Sequence, residues 1–137
     1  MAQSSQSKLH AVVMETLDQR RMLSASLNDA GLLSVTGTPK SDRIVLSVNP
    51  EDKTKLLVRV NKTVTSFDLS AVKNIEISAG AGNDRVVIDE TNGEISANAT
   101  VSGGKGNDRL STGSGNDDID GGAGNDRVRA GAGNDHV

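Results

Sequence analysis

The sequence has no cysteine, no tryptophan and no tyrosine, and one phenylalanine, Phe67. Without cysteine there is no disulfide, no thiolate metal site and no cysteine nucleophile. So little aromatic surface argues against a large globular core, because aromatic side chains supply much of the burial in compact domains. The two histidines, His10 and His136, leave nothing for a histidine-rich zinc site and argue against a histidine-based triad. No apolar run approaches the roughly 18 residues that a membrane-spanning helix needs. The formal net charge of -3 argues against a nucleic-acid binder, which normally presents a basic face. Neither HExxH nor GxSxG occurs, and no carboxylate pair has a convincing context, so these 137 residues are read as not being an enzyme. The length allows one domain, or one and a half.

What the chain does have is glycine. Ten of its 15 glycines lie between Gly103 and Val137. That stretch aligns on itself without gaps: GGKGNDRLS (103–111), TGSGNDDID (112–120), GGAGNDRVR (121–129) and AGAGNDHV (130–137), with an upstream copy, AGAGNDRVV, at 79–87. The fixed positions are two glycines, an aspartate and an aliphatic residue two places after it. The aspartates are Asp84, Asp108, Asp117, Asp126 and Asp135; the aliphatics are Val86, Leu110, Ile119, Val128 and Val137. Glycine permits positive φ and tight turns that leave peptide carbonyls bare. Aspartate adds a hard anionic oxygen, the ligand type that calcium takes six to eight at a time. The aliphatic residue starts a very short strand and is expected to point inward.

This pattern resembles the repeats-in-toxin (RTX) nonapeptide, G-G-x-G-x-D-x-U-x, a calcium-binding β-helix repeat. The match is close in 103–111 and 121–129. Thr112, Ala130 and Ala79 replace the first glycine in the other copies. The resemblance implies an all-β fold, a parallel β-roll or β-solenoid in which each nonapeptide is half a coil. It implies two to three calcium ions, held by glycine-turn carbonyls and aspartates. The implied metal-site residues are Asp84, Gly103, Gly104, Gly106, Asp108, Gly113, Gly115, Asp117, Gly121, Gly122, Gly124, Asp126, Gly131, Gly133 and Asp135. Pairing with the next-but-one repeat sets Asp108 beside Asp126 on one edge and Asp117 beside Asp135 on the other. An 18-residue period is visible in the sequence as well: Arg109 and Arg127 follow the aspartates of alternate units, while Asp118 and His136 follow the others. If residues 88–102 form one enlarged half-coil, Asp84 joins the edge of Asp108. Carboxylates stacked roughly 5 Å apart, the strand spacing, repel until a cation sits between them. The repeat tract is therefore expected to be loose without calcium and ordered with it. Arg85, Arg109 and Arg127 fall along one edge and are read as a solvated row of charge, with a polyanion site as the alternative.

Residues 32–78 read as a β-meander that caps the N-terminal end of the roll. Ile44, Leu46 and Val48 alternate with polar or smaller residues, as do Leu56, Val58 and Val60. Asn49-Pro50-Glu51-Asp52 and Asn61-Lys62 are turns, and Val72, Ile75 and Ile77 lead into the first repeat. Residues 37–44 (GTPKSDRI) look like a worn repeat, with Asp42 at the aspartate place and no calcium assigned. Residues 1–31 read as a tail with a possible short helix over Leu9–Leu23. The string from Met14 to Ala25 resembles the LEPR-XLL segment of large bacterial secreted and surface proteins, which implies a sorting role.

The functional expectation is a calcium-binding structural module of a secreted or surface protein, extracellular and without a membrane span, that folds on meeting calcium outside the cell. The alternative is a non-catalytic fragment of a larger RTX hydrolase or adhesin. Because the sequence stops at Val137 within a repeat, end-to-end self-association through an open β-edge is expected, or truncation, or fraying.

Overall fold

The structure is a computed structural model and describes residues 24–137. The helix expected over Leu9–Leu23 and nearly all of the Met14–Ala25 string lie outside the described residues. Within them the fold is all-β, with no α-helix and one 3-10 turn, Leu69–Ala71. The strands are β1 (Ala25–Leu27), β2 (Leu32–Thr36), β3 (Arg43–Asn49), β4 (Asp52–Val60), β5 (Thr63–Asp68), β6 (Asn74–Ser78), β7 (Arg85–Asp89), β8 (Asn98–Ser102), β9 (Arg109–Ser111), β10 (Asp118–Asp120) and β11 (Arg127–Arg129).

Two sheets form. One runs β1-β2-β6-β8-β10, the other β11-β9-β7-β3-β4-β5. From β6 onward the chain alternates strictly between them, and every strand pairs in parallel with the next-but-one. Each repeat is thus too short to cross and return. It supplies one three-residue strand and one glycine turn, then hands the chain to the opposite sheet. In the second sheet Arg43, Arg85, Arg109 and Arg127 are in register across four parallel strands.

The meander expected across 32–78 is narrower than the sequence suggested. Only β3, β4 and β5 pair antiparallel in series. Strands β2 and β6 belong to the opposite sheet and pair in parallel with each other. Period-two alternation shows that a strand has one buried face but not which sheet it joins. Strand β1 also extends the fold upstream of residue 32, antiparallel to β2.

The core between the sheets is aliphatic. Val60, Ile44, Val86 and Leu110 are buried in one register row, and Val35, Ile77, Val101 and Ile119 in another. Short β-branched and leucine side chains suffice because each covers only the strand opposite. Phe67 is half-buried at the margin. Val128 is half-buried, and Val137, expected to point inward, is 68% exposed. It follows the isolated bridge Asp118↔His136 and has no strand on its far side among the described residues.

Candidate metal centre

The repeat aspartates stack into two columns at the turns. In the first, the backbone N–H of Asp42 donates to Asp84 Oδ1 at 2.7 Å, that of Asp84 to Asp108 Oδ1 at 2.8 Å, and that of Asp108 to Asp126 Oδ1 at 2.8 Å. The steps are 42, 24 and 18 residues. The extra length is absorbed by the β4–β5 hairpin in the first step and by the 88–102 segment in the second. In the other column Ala99 N–H donates to Asp117 Oδ1 at 2.9 Å and Asp117 N–H to Asp135 Oδ1 at 2.8 Å. The structure therefore brings Asp84, Asp108 and Asp126 together on one edge and Asp117 and Asp135 on the other.

Each carboxylate uses Oδ1 this way, and the second oxygen decides its character. Oδ2 of Asp84, Asp108 and Asp117 is buried and has no hydrogen-bond partner. Burying an anionic oxygen without a partner is costly. Burial, countered in part by the N–H of Asp42, pushes the Asp84 carboxyl up to about 6, with the charges of Asp42 and Asp108 adding to the rise. Burial likewise raises Asp108, helped by Asp126. It raises Asp117 too, helped by Asp135 and Glu90. Asp126 and Asp135 are only half-buried.

Asp42 differs. Thr38 N–H donates to its Oδ2 at 2.7 Å, and Thr38 Oγ1 and Asn61 Nδ2 donate to its Oδ1 at 2.8 and 2.9 Å. Its charge is met by protein donors.

The glycine turns complete the surroundings. A Cβ built at Gly103 would lie 2.7 Å from Asp108 Oδ2 and 2.8 Å from the Gly121 carbonyl oxygen, so these two oxygens converge beside Gly103. Gly106 and Gly124 have φ of 114° and 105°, and a Cβ on either would run into the carbonyl of the glycine one coil earlier, Gly82 or Gly106. The stacked backbones come this close only because both positions lack a side chain. In the second column Thr112, buried at the first-glycine place, donates from Oγ1 to the Ala130 carbonyl at 2.7 Å. Gly113 sits against the Glu90 carboxylate.

No group of three or more His, Cys, Asp or Glu side chains suited to a metal occurs among the described residues. A cation here would take one or two carboxylates and complete its shell with peptide carbonyls. All are hard oxygens, which suits calcium rather than zinc or copper.

Two contributors were not visible as such in the sequence. Asn107 N–H donates to Asn83 Oδ1, and Asn125 N–H to Asn107 Oδ1, both at 2.8 Å; Asn98, Asn116 and Asn134 repeat the relation on the other edge. The signal was the asparagine in every Gly-Asn-Asp. Glu90 is the second. Its Oε2 accepts from Ile95 N–H at 2.9 Å and Ser114 N–H at 3.1 Å, tying the 88–102 segment to the turn that holds Asp117.

A family model described as the RTX calcium-binding nonapeptide repeat (4 copies) matches residues 98–137. Residues 98–137 are RTX-like repeats. Asp108, Asp117, Asp126 and Asp135 lie inside this match, while Asp84 and its stacked turn lie upstream of it. No curated protein and no solved structure gives a significant match to the chain. No helix among the described residues is long and apolar enough to cross a membrane.

Proposed function

We propose that this chain is a calcium-binding structural module, a parallel β-roll spanning 79–137 with residues 32–78 as its N-terminal cap, belonging to a secreted or surface protein. The observation that carries the reading is the set of three buried, partnerless carboxylate oxygens on Asp84, Asp108 and Asp117. Each sits in a column of carboxylates at glycine turns that leave carbonyls bare. Asp84, Asp108 and Asp126 with the turns at Gly103, Gly104, Gly106, Gly121, Gly122 and Gly124 serve one edge. Asp117 and Asp135 with Gly113, Gly115, Gly131 and Gly133 serve the other. A divalent cation bound there neutralises stacked charge that otherwise opposes folding, so binding and folding are coupled. Extracellular modules bind calcium at ~10⁻⁴–10⁻³ M. A chain of that affinity stays loose where free calcium is scarce and orders after export.

The test is far-UV circular dichroism with isothermal titration calorimetry, started in chelator, with magnesium as the control. A cooperative rise in β signal with two to three calcium ions bound supports the reading. Full β signal in chelator, with no heat on adding calcium, refutes it.

A further inference from the structure

All six arginines among the described residues lie on the outer face of one sheet. Arg43, Arg85, Arg109 and Arg127 form one register row across β3, β7, β9 and β11. Arg59 and Arg129 stand in the adjacent row, which runs Val64, Arg59, Val45, Val87, Ser111, Arg129. All six are exposed, alternating with the buried core positions. None forms an ion pair among the described residues, where the pairs are Lys55–Asp68 and His136–Asp118. A shallow groove runs along the face, lined by Arg85, Arg109, Arg127 and Arg129, with Val87 and Ser111 between them. The strands of the opposite sheet show no arginine or lysine on their outer face, and carry Glu76, Asp118 and Asp120 there. The net charge of -3 conceals this asymmetry; the acidic residues on the arginine-bearing face, Asp68 and Asp89, lie outside the groove.

We propose that this face binds a linear acidic polysaccharide, one bearing a carboxylate or sulfate on successive sugars. The strand spacing of ~4.8 Å places four guanidinium groups along ~14 Å, a comb of evenly spaced positive charge. Arginine's planar fork binds carboxylate and other oxyanions in bidentate fashion, and it is more weakly hydrated than lysine. The small Val87 and Ser111, in the row beside Arg85 and Arg109, leave the polymer room to lie along the arginines. Single-stranded nucleic acid is a poorer occupant, because stacking on aromatic side chains is a main source of its affinity and this face has none. An anionic membrane is poorer too, since the exposed apolar side chain on this face, Val64 beside Arg59, lies on β5 at the margin of the sheet away from the groove.

The experiment uses the whole chain in calcium-containing buffer and fluorescence anisotropy of labelled oligogalacturonate and dextran sulfate, with neutral dextran, single- and double-stranded DNA and anionic phosphatidylserine vesicles alongside. The double variant R85Q/R109Q is compared with K53Q/K73Q, which removes equal charge outside the groove. Binding of both acidic polymers but not dextran is expected. R85Q/R109Q should lose about ten-fold or more in affinity, as removal of charge-assisted contacts implies, while K53Q/K73Q stays within about two-fold. Both variants should keep the wild-type circular dichroism spectrum. Absent binding, equal loss in the two variants, or tighter binding to DNA or vesicles overturns the proposal. So does a concentration-dependent dimer that R85Q/R109Q abolishes, because the face would then be a contact between copies.

Discussion

Asp84 and Asp108, 24 residues apart, are joined by the backbone N–H of the first donating to Oδ1 of the second at 2.8 Å, while Oδ2 of each is buried without a partner. One oxygen of the carboxylate is thus structural and the other is spare. Oδ1 registers one coil on the next, as a ladder hydrogen bond would. Oδ2 faces the turns with its charge unmet. The same division holds at Asp117 and fails at Asp42, where Thr38 and Asn61 supply donors.

That contrast predicts opposite behaviour for two like substitutions. Asp108→Asn should reduce the number of calcium ions bound in calorimetry and increase the β signal that remains in chelator, because a buried charge is removed. Asp42→Asn should leave calcium stoichiometry unchanged and lower stability by about 1–3 kcal/mol, since its amide nitrogen would confront the donors that now satisfy it. Equal loss of calcium from both variants would break the distinction.

The register was legible in the sequence because the repeat is rigid in length: a nine-residue period with an aspartate at each step fixes which turns stack. It even placed Asp84 above Asp108, since residues 88–102 differ from a single nonapeptide by six. The sheet assignment of β2 and β6 was not legible, because their alternation fits either sheet and their partners lie a whole coil away. Three members of the arginine row, Arg85, Arg109 and Arg127, were legible from the repeat and were read as a solvated row of charge; Arg43 was not, for a related reason. Arg43 meets Arg85 only after the β4–β5 hairpin is folded out of the way, and no local pattern announces that. The asparagine ladder was written in the sequence five times over, yet its bonds join residues 18 or 24 apart and needed the stacked turns to show them.

In chelator, stability should fall as pH rises. The Asp84 carboxyl, ordinarily at 3.8, stands at about 6 in the folded chain. The folded state therefore holds a proton that the unfolded state has released between these values. Its contribution is fully present below 3.8 and is lost as pH rises to about 6. Asp108 and Asp117 are shifted in the same direction. In chelator, far-UV circular dichroism should show more residual β structure at pH 4.5 than at pH 7, and saturating calcium should abolish or reverse the order. Higher metal-free stability at pH 7 would mean that these carboxylates are not strained by burial.

Asn107 both accepts from Asn125 N–H and donates its own N–H to Asn83. Asn107→Ala keeps the second bond and removes the first, at a net expense of about 1 kcal/mol for a bond at a solvent-exposed edge. Chemical denaturation in saturating calcium would measure it. Asn107→Asp retains an acceptor and should recover most of the loss, whereas a purely steric role would leave both variants alike.

Gly124→Ala tests how closely the turns must stack. At φ of 105° an alanine is strained whatever its surroundings, and its Cβ would meet the Gly106 carbonyl one coil before. Strain alone is worth about 1–3 kcal/mol, and the contact adds to it, because what lies in the way is backbone and cannot swing aside. Gly93 is the control: its φ is ordinary and an added Cβ would meet only the side chain of Val48, at 3.2 Å. Gly124→Ala should therefore destabilise the calcium-loaded chain far more than Gly93→Ala. It should also weaken calcium binding, since the turn carbonyls beside Asp108 and Asp126 would be pushed apart. Equal, small effects of the two substitutions on melting temperature and calcium affinity would show that the coils have slack, and that close backbone approach does not hold the sites in place.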